Sequence, residues 1–105
     1  MFTFYFDQKP LSVYVCVDEI EEVYNFFFDY KELREFTSAD YRSNKARNMI
    51  IKISSEYAKK RFVTVDETLV YFGAFNNTEN IINFILTDVY DVLYDYKNSV
   101  STESF

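Results

Sequence analysis

The sequence predicts an α+β domain that combines an N-terminal β-hairpin, three to four helices and a second, wing-like β-hairpin. Apolar and polar residues alternate near the N terminus, apolar stripes of helical period follow, and two β-rich runs flank a short acidic connection. With 105 residues, 49% of them hydrophobic, the chain is long enough for one core and too short for two. We therefore expect one compact domain over residues 1–98 and a frayed polar tail over 99–105.

The first element is the predicted N-terminal hairpin. FTFYF at 2–6 alternates Phe with Thr and Tyr, and LSVYVCV at 11–17 alternates aliphatic residues with Ser, Tyr and Cys. A period of two is typical of strands with one buried face. DQKP lies between the two runs and predicts the turn, because Pro10 restricts one backbone dihedral.

A first helix is predicted over about 18–35. Asp18 and Glu21 have the spacing of a capping box, in which each residue hydrogen-bonds the backbone of the other. Two further glutamates in the same turn are favoured by the helix dipole. The apolar stripe expected on the buried face of this helix comprises Ile20, Val23, Phe27 and Tyr30.

A second helical region is predicted to begin near Thr37, since Asp40 follows it at capping distance. It is either one long helix or a short helix that turns into a longer one. Residues 49–53, MIIKI, also suit a strand because three of them are β-branched. Helical spacing that continues to Tyr57 favours helix. The predicted buried line is Ala46, Met49, Ile50, Ile53 and Tyr57.

RFVTV and TLVYF flank Asp66 and Glu67 and predict the second hairpin. The only glycine then interrupts the pattern, and Asn76 with Glu79 is predicted to cap a last helix over about 78–97. This helix has more apolar surface than one core face covers. Its stripe consists of Ile82, Ile85, Leu86, Val89 and Leu93, and it is widened by Ile81, Phe84, Tyr90 and Tyr94.

The residues that the chain lacks exclude several kinds of chemistry. With no His, one Cys and one Gly, it cannot form a Cys/His zinc cluster, a serine–histidine–acid triad or a glycine-rich phosphate loop. We therefore expect no enzyme activity, no metal and no cofactor. Charges interrupt every apolar run, which predicts no membrane span, and the lone Cys16 favours a reducing, cytoplasmic location.

Charge is distributed unevenly along the chain. The net charge is -6, yet residues 42–61 contain seven basic residues and one acidic residue, so this window carries +6 and the remainder -12. On a helix, five polar residues of this window form a continuous stripe opposite the buried line. Lysines suit phosphate groups, and Asn, Arg and Ser can reach base edges. The alternative is a plain solvent-exposed helix face. The candidate nucleic-acid-binding residues are Arg42, Lys45, Arg47, Asn48, Lys52, Ser55, Lys59, Lys60 and Arg61.

The predicted order over residues 18–72, helix, short helix, basic helix and β-hairpin, resembles that of winged helix-turn-helix DNA-binding proteins. In this comparison FTSADYRSN corresponds to the second helix and turn, KARNMIIKISSEYAKKRF to the recognition helix, and VTVDETLVYF to the wing. The resemblance implies a regulatory protein that binds double-stranded DNA, as a homodimer that reads two half-sites. The interface would be the wide apolar surface of the last helix, with Ile81, Phe84, Tyr90 and Tyr94.

The acidic remainder supports a different class of protein. Asp88, Asp91 and Asp95 recur at spacings of three and four beside tyrosines. In composition, a small, acidic, Tyr-rich chain resembles the phage-encoded inhibitors and toxin-immunity proteins that occupy a basic cleft on an enzyme. These three aspartates are the candidate contacts for such a protein partner. A third alternative is a subunit whose basic helix meets an acidic protein.

Overall fold

Four antiparallel strands form the sheet on which the rest of the chain packs. The computed structural model describes the backbone of residues 1–103 and the side chains of residues 1–99. The strands lie side by side in chain order, so each one pairs with the next. They are β1 (Phe2–Phe6), β2 (Lys9–Asp18), β3 (Val23–Asp29) and β4 (Phe62–Thr64).

Four helices accompany the sheet in the described residues, which confirms the predicted α+β class. The first three are α1 (Tyr30–Arg34), α2 (Asn44–Lys60) and α3 (Val65–Gly73). The fourth is continuous over 79–103 and is called the C-terminal helix below. It consists of α4 (Glu79–Phe84), a π-helical turn (Ile85–Val89) and α5 (Tyr90–Glu103).

The N-terminal hairpin is confirmed, with a tighter turn than predicted. Phe6 pairs with Lys9, so the loop consists of Asp7 and Gln8 alone. Both residues have left-handed backbones, with φ of 49° and 65°, as a type I′ turn requires. Pro10 lies outside the turn, in β2 opposite Tyr5.

The predicted helix over 18–35 is wrong. Residues 19–22 form a turn, 23–29 form β3, and only Tyr30–Arg34 is helical. Asp18 does bond to backbone N–H groups, those of Ile20 at 3.0 Å and Glu21 at 3.2 Å, but it closes a β-turn in this way. Ile20, assigned to a buried stripe, is 94% exposed at the tip. The true cap of α1 is Asp29, which accepts from the N–H of Lys31 at 3.0 Å.

The predicted wing hairpin is also wrong. Its first strand is present only as β4, which pairs with β3. The rest of the segment is α3, because Thr64 and Glu67 form a complete capping box at its start. The Thr64 hydroxyl accepts from the Glu67 N–H at 3.1 Å, and the Glu67 carboxylate accepts from the Thr64 N–H at 3.0 Å. A helix start therefore lies where a strand turn was predicted.

Helix α2 confirms the helical alternative for residues 49–53, but it starts later than predicted. Ser43 is its cap and accepts from the Ala46 N–H at 3.0 Å, whereas 37–43 is not helical. The C-terminal helix begins at Glu79, and Asn76 does not cap it. The Asn76 amide donates instead to Asp40 at 2.9 Å, which ties two loops together.

The inner face of the sheet packs against the C-terminal helix. Phe4 and Phe6 both contact Phe84, with ring centroids 6.3 Å and 5.3 Å away. An α-helix turns a row of i, i+4 residues by about 40° per step, and a π-helical turn winds more slowly. The π-helical turn therefore helps to keep one row of four residues facing the core, namely Ile81, Ile85, Val89 and Leu93.

Among the residues that the structure describes, no helix is long and apolar enough to cross a membrane. The C-terminal helix continues through Glu103, so 99–103, predicted as part of a frayed tail, has helical backbone. Residues 104–105 of that predicted tail lie outside the described residues.

Candidate nucleic-acid interface on helix α2

The predicted polar stripe is a real surface of α2. The helix buries Ile50 and Tyr57 and half-buries Ala46, Met49 and Ile53, so the predicted core line is confirmed. The opposite face is open to solvent. Lysines at both ends of this face, fourteen residues apart, are separated by about 21 Å along the axis. The exposed stripe consists of Lys45, Asn48, Lys52, Ser55 and Lys59.

Three of the nine candidate residues already have partners within the chain. Arg42 pairs with Glu79 at 3.7 Å, and Lys60 pairs with Glu67 and lies 5.2 Å from the centre of the Tyr57 ring. Arg61 pairs with Asp29 at 3.1 Å. These cations tie α2 and its flanks to the rest of the fold, so little of their charge is left for a ligand.

The other four cations have no such partner. Within the described part of the chain, Lys45, Arg47, Lys52 and Lys59 form no ion pair. Lys45 is the second residue of α2, and no acidic residue accompanies it in the first turn. Positive charge at a helix N terminus opposes the helix dipole, so helix stability does not explain this placement. Arg47 lies about 200° around the helix from Lys45, on the other flank of the stripe.

An apolar groove borders the stripe on the side of α3. It has a volume of about 860 Å³, and Lys45, Asn48 and Lys52 form its rim. Val70, which is 51% exposed, and Gly73 line it from α3. Sequence analysis missed this groove because α3 was predicted to be a strand. The Thr64–Glu67 capping box was the signal that could have revealed it.

The basic face and the acidic β2–β3 turn lie at opposite ends of β3. Tyr24, near the start of β3, contacts Tyr96 of α5 with ring centroids 6.3 Å apart. Tyr30, just beyond its end, contacts Tyr57 of α2 at 5.6 Å. Six residues of strand span about 20 Å. The exposed carboxylates at the far end belong to Asp18, Glu19, Glu21 and Glu22.

The C-terminal helix presents the second predicted surface. Asp88, Asp91 and Asp95 are all exposed, and none of them forms an ion pair among the described residues. The four residues predicted for a dimer interface do not lie together on the surface. Ile81 is buried and Phe84 packs against β1, whereas Tyr90 and Tyr94 are 51% and 57% exposed.

Neither a protein-family model nor a curated protein nor a solved structure matches this chain. In the residues that the structure describes, no cluster of His, Cys, Asp and Glu could hold a metal ion. The fold and these surfaces describe an α+β protein with a basic face on α2 and acidic faces at the β2–β3 turn and on the C-terminal helix.

Proposed function

We propose that the protein binds double-stranded DNA through the exposed face of α2. The observation that supports this most directly is the row of cations on that face that form no ion pair with the described residues, including Lys45, Lys52 and Lys59. Phosphate contacts from lysines provide most of the affinity of such proteins. Asn48 and Ser55, between the lysines, can hydrogen-bond base edges when the helix enters the major groove.

The proposal rests on α2 alone and does not require a winged-helix arrangement. The segment that resembled the wing forms β4 and α3, and the segment that resembled the first helix forms a turn and β3. DNA contacts would then come from one helix of about 25 Å rather than from a helix and a wing. A regulatory role as a homodimer is part of the proposal, because two copies would double the phosphate contacts.

The test is fluorescence anisotropy of a mixed-sequence DNA duplex titrated with protein at several salt concentrations. We expect binding that weakens steeply with salt, and we expect Lys52→Gln with Lys59→Gln to lower the slope of log K against log salt by about 2. The matched control is Lys31→Gln with Lys97→Gln, which removes the same charge from exposed lysines outside α2. No binding at low salt, or an equal loss in both double variants, would refute the proposal.

A second candidate is supported by the acidic face of the C-terminal helix. Its three exposed aspartates lack intramolecular cations in the described chain, and two exposed tyrosines lie beside them. Such a surface fits an inhibitor or immunity protein that covers a basic cleft on an enzyme. This candidate applies if the protein does not bind DNA but does bind a basic protein partner. Replacing Asp88, Asp91 and Asp95 with Lys should then abolish binding of that partner. Retained binding would exclude this face.

A further inference from the structure

A second cleft lies on the other flank of α2, away from the groove at Lys45. It is an open cleft with a volume of about 540 Å³, and it is lined by residues of α1, α2, the loop before α2 and the segment around the end of α3. Small-molecule sites in proteins commonly have volumes of about 300–1,000 Å³. Only Ser55 belongs both to this cleft and to the proposed DNA-binding face.

The cleft has an unusual charge for this protein. None of the described side chains that line it is acidic, although the chain contains 17 Asp and Glu residues. Its one charged lining residue is Arg34, which forms no ion pair within the described residues. A guanidinium without a carboxylate partner beside a cleft is a donor available to an anion.

Tyr30 supplies a second available donor. Its side chain is 5% exposed, and its ring is held between those of Tyr57 and Tyr71, with centroids 5.6 Å and 5.4 Å away. Its hydroxyl has no hydrogen bond to another described residue. No fully buried polar side-chain atom of the described residues lacks a partner, so the hydroxyl keeps some exposure to solvent, and Tyr30 is one of the residues that line the cleft. Burial raises the pKa of Tyr30, while the charge of Arg34 acts to lower it. The phenol therefore stays protonated and able to donate near neutral pH.

The remaining lining combines aromatic and aliphatic side chains with the hydroxyl-bearing Thr37, Ser38, Ser54 and Ser55. The Tyr71 hydroxyl shares a hydrogen bond of 2.8 Å with Thr37, which fixes the loop that closes one side. The rings of Tyr41 and Phe75 stack at 5.0 Å beside it, and Ile50 and Ile51 line the α2 side. A cleft lined by an unpaired arginine, a tyrosine hydroxyl and several aromatic and aliphatic side chains suits a ligand with an anionic head and an apolar body.

We propose that this cleft binds a small organic anion, with its carboxylate or phosphate oxygens on Arg34 and Tyr30 and its apolar or aromatic body between the tyrosine rings and α2. The proposal is independent of DNA binding, because neither donor lies on α2 and the apo protein can be tested without nucleic acid.

The test is a titration of ¹⁵N-labelled protein with four probes, followed by amide chemical shifts. Benzoate and phenyl phosphate carry both an anionic head and an aromatic body, whereas inorganic phosphate lacks the body and benzyl alcohol lacks the charge. We expect benzoate or phenyl phosphate to shift the amides of Tyr30, Ser54 and Tyr71, and the stronger of the two identifies the preferred head group. Inorganic phosphate and benzyl alcohol should bind at least about tenfold more weakly than the preferred probe.

Two variants connect the binding to its donors. Arg34→Gln should weaken the preferred probe about tenfold, and Tyr30→Phe, which removes only a hydroxyl without a partner in the described chain, should weaken it severalfold. Arg47→Gln removes an exposed cation that does not line the cleft and should leave the affinity unchanged. The proposal fails if neither anion shifts these amides, if benzyl alcohol or inorganic phosphate binds equally well, or if Arg34→Gln has no effect.

Discussion

At the scale of single residues, Arg61 connects the end of α2 to the sheet. Its φ of 66° lies in the left-handed region, which costs a non-glycine residue about 1 kcal/mol. Its carbonyl accepts from the N–H of Tyr30 at 2.8 Å, and its guanidinium pairs with Asp29, whose side chain is only 7% exposed. The arginine therefore compensates a nearly buried carboxylate at the expense of backbone strain.

Replacing Arg61 with Gly relieves this strain but leaves Asp29 without its cation. We expect Arg61→Gly to lower the free energy of unfolding by about 1 kcal/mol, because loss of the charge partner outweighs the backbone gain. The matched control is Gln8→Gly, at an exposed residue of the first hairpin turn with φ of 65°, which should leave stability unchanged or raise it. Urea titrations of the three proteins measure the difference, and an Arg61→Gly protein as stable as the control would contradict this account.

Glu67 makes stability depend on pH. Burial acts to raise the pKa of Glu67, but hydrogen bonds with Lys60 and Thr64 hold it below its ordinary value overall. A carboxyl whose pKa is lower in the folded state stabilises the fold above its unfolded pKa, and this contribution is lost as pH falls through the folded value.

We therefore expect Glu67→Gln to be less stable than the wild type at neutral pH, by about 1 kcal/mol. The difference should shrink as pH falls below the ordinary value of 4.5. Thermal unfolding followed by circular dichroism at several pH values measures it. A gap between the two proteins that stays constant down to acid pH would show that the carboxylate does not contribute in this way.

At the scale of elements, Gly73 ends α3 without needing the freedom of glycine. Its φ is not in the left-handed region, and a Cβ placed on it would meet no atom within 4 Å. We expect Gly73→Ala to raise the free energy of unfolding by about 0.5–1 kcal/mol, because alanine loses less backbone entropy in a helix. Denaturant unfolding measures this, and a destabilised variant would mean that the groove it lines is tighter than described.

The elements that were predicted correctly are those in which one period fits a longer run of residues than the other. The alternation covers most of β1 and β2, and the apolar spacing in α2 continues to Tyr57, beyond the residues 49–53 that also suited a strand. The stripe on α2 was predictable for the same reason. The ion pairs of Lys60 and Arg61 were not predictable. Asp29 is distant from Arg61 in sequence, and Glu67 belongs to a segment that was predicted as a hairpin turn but forms the start of α3.

The elements that were predicted wrongly carry signals with two meanings. Asp18 bonds to backbone N–H groups two and three residues ahead, as it would both in a helix cap and in a turn. Residues 23–29 fit a helical stripe, yet five of the seven are aromatic or β-branched, and pairing with β2 makes them a strand. The cleft at Tyr30 was not predictable, since three elements distant in sequence form it.

At the scale of the whole molecule, the fold is elongated, with extents of 51 × 27 × 19 Å. The C-terminal helix of 25 residues is about 37 Å long, and the ten residues of β2, the longest of the four described strands, span about 33 Å. One helix thus exceeds the sheet it covers, and its flank carries the exposed Tyr90 and Tyr94.

This flank is the surface available for the proposed homodimer. We expect light scattering after gel filtration to show a dimer, and Tyr90→Ser with Tyr94→Ser to shift it to a monomer by removing aromatic contact area. Tyr5→Ser is the control, because Tyr5 is even more exposed than Tyr90 and Tyr94 but lies on the outer face of the hairpin. A monomeric wild type, or a Tyr5→Ser protein that also dissociates, would rule out this interface.

The separation of α2 from the acidic β2–β3 turn gives the protein a permanent electric dipole. Near a polyanion, the field would exert a torque that turns the α2 end forward before any contact forms, because the acidic end is repelled. The fraction of collisions with a productive orientation then rises, which increases the association rate more than the affinity. Salt at 0.1 M shortens the reach of this field to about 10 Å, so the orienting effect would act only in the last stage of approach.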